Sequence, residues 1–148
     1  MKAIAIAILV CAGCYTTAFA QPGPQPVARV KIVRGEAQIV NRTPPEIVRV
    51  GDALFLGDIV ATRKGALGFT MEDGTRISMG ANARVQIARF SYKPAENNLA
   101  LALRFLAGPI QYVSGVIAKL APESVSIETP TSTVAVRGTT FVAEVEAP

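Results

Sequence analysis

Leu67-Gly68-Phe69-Thr70-Met71-Glu72-Asp73-Gly74-Thr75-Arg76-Ile77-Ser78-Met79 alternates large apolar residues with small or polar ones on both sides of an Asp-Gly pair. A period of two puts every second side chain on one face of a strand, whereas a helix would need apolar residues three and four apart. Asp-Gly between two alternating runs is the strongest short-range signal for a hairpin with a two-residue turn, so Asp73 and Gly74 are read as its tip. With Phe69 and Met71 facing inward, Ile77 and Met79 can face inward on the partner strand. Beyond a turn at 80–83, Val85 and Ile87 follow on the next.

Upstream, Val50-Gly51-Asp52-Ala53-Leu54-Phe55-Leu56-Gly57-Asp58-Ile59-Val60 repeats a Gly-Asp pair after six residues, with apolar flanks each time. Two tight corners joined by one short strand would produce this, because glycine reaches positive φ and an aspartate carboxylate can accept bonds from nearby amides. A cation site at Asp52 and Asp58 would need further oxygen ligands, and no neighbouring Asp, Glu or His supplies them. Earlier still, Val30, Ile32 and Val40 continue the strand pattern, interrupted at Gly35-Glu36, and 41–46 reads as a polar, proline-containing loop. Residues 21–26 hold three prolines and a glycine and read as an extended lead-in.

Downstream, 84–90 reads as a strand and 93–98 as a loop. Residues 99–120 suit a helix by propensity and strands by period; the strand-forming Ile110, Tyr112 and Val113 favour strands, with Gly108-Pro109 expected to stop whichever element precedes it. Arg104, the Gly-Pro break and Lys119 exclude a membrane-spanning helix here. Residues 125–145 form two strand-like runs around a Thr129-Pro130 corner and an Arg137-Gly138-Thr139 corner, where Arg137 is read as fastening the turn through local carbonyls or Glu128. The fold expected is all-β, a compact stack of short strands, solenoid-like or sandwich-like, filling one domain over 27–146.

The closing stretch, a Thr-Pro, a short alternating strand, then Val136-Arg137-Gly138-Thr139 and a last strand, resembles the signature of the FecR domain family. Arg34-Gly35-Glu36-Ala37, Val50-Gly51-Asp52, Leu56-Gly57-Asp58-Ile59-Val60-Ala61-Thr62 and Asp73-Gly74-Thr75 follow that family's pattern in order. The resemblance implies a non-enzymatic envelope domain of short strands. It does not carry sigma-factor control with it, since the sequence shows neither a cytoplasmic segment before the export signal nor length for a receptor-contacting module.

Lys2, the apolar run 3–13 and Ala18-Phe19-Ala20 form a secretory signal peptide over 1–20, so the domain is expected in the periplasm without a transmembrane span. A competing reading makes Cys14, after Ala12-Gly13, a lipid-modified anchor at a membrane surface. Either way the leader takes Lys2 with it: 15 basic against 11 acidic residues become 14 against 11, a mild +3 with the basic residues scattered. A nucleic-acid surface would need a basic stripe with interleaved aromatics, so none is expected.

Histidine is absent and both cysteines, Cys11 and Cys14, lie in the leader, which removes the commonest general base, the thiol nucleophile and most transition-metal ligands. No cofactor, metal or catalytic residue is expected. A binding or scaffolding module remains, touching an unknown envelope protein through an exposed edge at 139–145, with Thr139, Phe141, Val142 and Val145 as candidates. A glycan- or peptidoglycan-binding module is the alternative, with Tyr92 and Tyr112 as its only tyrosines and no tryptophan.

Overall fold

The alternating runs condense into strands that share one sheet. The computed structural model describes residues 21–137 and 140–147; the expected signal peptide over 1–20, the anchor reading at Cys14, and the readings of Gly138 and Thr139 lie outside the described residues. Among the described residues the strands are β1 (Ala28–Ile39), β2 (Glu46–Ile47), β3 (Ala53–Leu54), β4 (Ile59–Met71), β5 (Arg76–Met79), β6 (Arg84–Lys93), β7 (Asn98–Val113), β8 (Val125–Glu128), β9 (Thr133–Ala135) and β10 (Thr140–Val145). A one-turn helix, α1 (Val116–Leu120), follows β7. The sheet order is β2-β1-β4-β5-β7-β8-β9; β3 lies on β1, β6 bridges β4 and β7, and β10 lies on β7. Apart from the parallel β7-β8 pair, all neighbours are antiparallel. The all-β expectation holds.

Three strands are long, and they are long because each serves two halves of the sheet. The start of β1 pairs with the end of β4, and β5 lies between the end of β4 and the end of β7. The end of β1 pairs with the start of β4, and β6 takes β5's place between β4 and β7. The two halves meet along a line through Gly35, Gly65, the 80–83 turn and Gly108. Inward-facing parity changes across it: Ala28 and Val30 against Ala37 and Ile39, Val60 and Thr62 against Leu67, Phe69 and Met71, Leu103 and Phe105 against Ile110 and Tyr112. The inward residues of both halves form one core. Gly35 and Gly65 are register partners at φ +76° and +122°, and a Cβ on either would stand 1.9 Å from a carbonyl oxygen of the other strand. Only a residue without a side chain lets the two backbones cross this closely.

These bends revise three local expectations. Gly35-Glu36 and Gly108-Pro109 redirect strands rather than end them, so strands of 12 and 16 residues run where breaks were expected. The hairpin tip has three residues, not two. Met71 N–H donates to Thr75, Gly74 N–H donates to Met71, and Gly74 sits at φ +84°, the arrangement of a type I turn closed by a left-handed residue. Residues 99–113 are strand as favoured, but Val116–Leu120 is helical. The loops expected at 41–46 and 93–98 are shorter than expected, because Glu46 opens β2, Lys93 ends β6 and Asn98 opens β7, with a 3-10 turn at Pro94–Glu96 between the last two.

Candidate functional site

The two Gly-Asp corners are copies of one device. Asp52 accepts from the Arg49 N–H at 2.7 Å and Asp58 from the Phe55 N–H at 2.8 Å, each through a carboxylate oxygen three residues on. Asp52 N–H and Asp58 N–H return bonds to the Arg49 and Phe55 carbonyls, both at 3.1 Å. Each corner then grips a strand in the same way. Gly51 N–H donates to the Val30 carbonyl while Val30 N–H donates to that of Asp52, and Gly57 N–H donates to Ile87 while Ile87 N–H donates to Asp58. Register slips just past the gripped residue both times, between Val30 and Ile32 and between Ile87 and Arg89. These carboxylates close turns.

Asp58 does one thing more. Arg42 reaches it with Nη2 at 2.7 Å and Nε at 3.4 Å, pairs also with Glu46, and lies over the Phe55 ring at 5.6 Å. Burial works to lower the Arg42 pKa, but the hydrogen bonds to Glu46 and Asp58 outweigh it and hold the guanidinium above its ordinary value. No feature of the sequence around Arg42 announced this clasp.

The hairpin tip turns inward. Asp73 and Thr75 are buried, and Asp73 accepts from the Thr75 N–H at 3.1 Å and from its hydroxyl at 2.8 Å. The same carboxylate accepts the Ile117 N–H at 3.3 Å, and the Asp73 carbonyl accepts that of Val116 at 2.8 Å, so the first turn of α1 docks on the tip. Gly115 permits it, since a Cβ there would lie 2.4 Å from the Thr75 nitrogen. Tyr112 packs beside this knot, its ring stacked on Phe141 at 5.2 Å and its buried hydroxyl without a hydrogen-bond partner among the described residues. Burial, and then the Asp73 charge, pushes its pKa up to about 12; Thr75 pulls weakly the other way without forming a hydrogen bond.

β10 pairs with β7 and, among the described residues, with no other strand. Val142 is 69% exposed, while Phe141 and Val145 are half-buried against the core. Arg137 is exposed, and Glu128 is held by Arg104 Nε at 2.7 Å instead. Pro130 stands at the mouth of two adjoining clefts of about 570 and 230 Å³, which share Leu106 as a wall. Their floor is the outward face of the half-sheet past the bend, where one row runs Gln38, Ala61, Arg84, Ala107 and the next Ile59, Gln86, Arg104, Glu128. The expected site residues thus separate: Gly35 sits on the bend, Gly51, Asp52, Gly57 and Asp58 in the twin corners, Asp73 and Gly74 in the tip. Phe141, Val142 and Val145 lie on an open edge.

Thr62 also escaped the sequence, although its hydroxyl, donating to Gly80 at 2.6 Å and accepting from the Ala83 N–H at 3.0 Å, pins the 80–83 turn. Among the described residues no three metal-ligating side chains gather, and no helix is long and apolar enough to cross a membrane. The family model described as FecR protein matches residues 58–148. No curated protein and no solved structure matches the chain.

Proposed function

Because the chain belongs to the FecR family, whose domains are tied to envelope signalling, we propose that it is an exported, non-catalytic module that binds or scaffolds a protein partner in the periplasm. The observation that carries this reading is β10: an edge strand paired on one side, with Val142 standing out at 69% exposure. Such an edge offers a row of main-chain donors and acceptors to an incoming strand, and side-chain pockets add selectivity. The absence of catalysis is supported by where the acids sit: Asp52, Asp58 and Asp73 are each engaged by backbone amides, and Glu72 points to solvent from the tip.

A direct glycan-binding role has less support, because no aromatic side chain lines either cleft among the described residues. A photo-crosslinking residue placed at position 142 in living cells is expected to trap one discrete envelope protein, whereas the same residue at the exposed Arg89 on β6 is not. Adducts that are identical at both positions, or absent at 142, would remove the edge from consideration.

A further inference from the structure

We propose that the cleft on the outward face, between Arg63, Arg84 and Leu106, is a docking groove for an extended acidic peptide segment of a partner protein. This goes beyond the β10 reading and does not depend on it; a failed crosslink at position 142 leaves the groove untouched.

Charge sets the first requirement. Two other arginines of this half-sheet are neutralised in place, Arg42 by Glu46 and Asp58 and Arg104 by Glu128. Arg63 and Arg84 line the cleft, are exposed, and make no ion pair or side-chain hydrogen bond among the described residues. The acid in the lining, Glu36, accepts a bond from Gln38 Nε2 at 3.1 Å. The guanidinium fork pairs best with planar anions, above all carboxylates.

The backbone sets the second. On the side of β7 away from β6, β8 pairs as far as Arg104 and β10 pairs only from Gly108 onward, so residues 105–107 have no strand neighbour there among the described residues. Leu106 is also the extra residue of a bulge against β6. The smaller cleft opens onto this notch through Leu106 and Pro130, and the larger one joins it at the same two residues. A groove with free cations beside a gap in the hydrogen-bond ladder suits a chain that brings both carboxylates and its own main-chain groups. The small side chains of Ala61 and Ala107 on the floor leave room for it, and a sugar would find no ring to stack on.

The test uses a fluorescent peptide alternating glutamate and valine, its lysine counterpart, and polygalacturonate as a carboxylate polymer without peptide groups. The glutamate peptide is expected to bind, to weaken as salt is raised, and to shift the amide resonances of Leu106 and Ala107 in the native protein. The pair Arg63→Gln and Arg84→Gln is expected to lower its affinity by about tenfold or more. Binding that maps elsewhere, equal binding of the lysine peptide, or polygalacturonate displacing the peptide with the same resonance shifts would overturn the assignment. Should the double variant misfold, the resonance map on the unaltered protein decides alone.

Discussion

Tyr112 hides a hydroxyl that makes no hydrogen bond among the described residues, and a hidden polar group without a partner works against the fold. Tyr112→Phe is therefore expected to change stability at neutral pH by no more than about 1 kcal/mol, with denaturant melts as the check. Its pKa also makes stability depend on alkali. The folded value, about 12, lies above the ordinary value near 10, so below pH 10 both states hold the proton and the contribution is intact. Between about 10 and 12 the unfolded chain ionises first, and stability falls by roughly 2–3 kcal/mol. The phenylalanine variant should lack that share of the decline; matched alkaline curves would show the residue irrelevant. Asp73 beside it illustrates what single residues disclose: its place in a turn was readable from Asp-Gly, whereas its bonds to Thr75 and Ile117, 44 positions on for the latter, were not.

At the level of elements, alternation identified strands well and located their bends poorly. Ile32 shows why. Counting by two from Val30 puts it in the core, yet it is 53% exposed, because the register slips where the first Gly-Asp corner grips β1. Likewise the parity change across Gly108 hides β7's continuity, so that a Gly-Pro pair that would end a helix reads as a stop although β7 bends there and continues. The helix α1 was obscured by its apolar neighbours, and its position follows from a contact with the Asp73 tip that no local window contains. The bend itself gives a sharp expectation. Gly65→Ala would drive a Cβ to 1.9 Å from the Arg34 carbonyl oxygen and is expected to cost about 3 kcal/mol or more, visible as a large fall in Tm. Gly23→Ala, with nothing within 4 Å, serves as the control and should leave the Tm unmoved.

For the molecule as a whole, sharing three long strands between both half-sheets leaves neither half able to detach. Thermal unfolding should accordingly be one transition, with far-ultraviolet dichroism and the fluorescence of Tyr92 and Tyr112 giving coincident midpoints; separated midpoints would mean that the bend is a boundary between independent units. Within the residues that the family model matches, the pattern at 58–62 and 73–75 was legible because Asp58 and Asp73 each sit in a local turn with its own chemistry. The clefts were not, since Gln38, Ala61, Arg84 and Ala107 come from four strands and meet only through register. The shared bend has a further consequence for how such a chain can vary in length. A residue gained or lost near Gly35, Gly65 or Gly108 would throw one strand out of step with the other two at once, whereas 43–45 and 94–97 hang clear of the crossing and can lengthen or shorten without disturbing it.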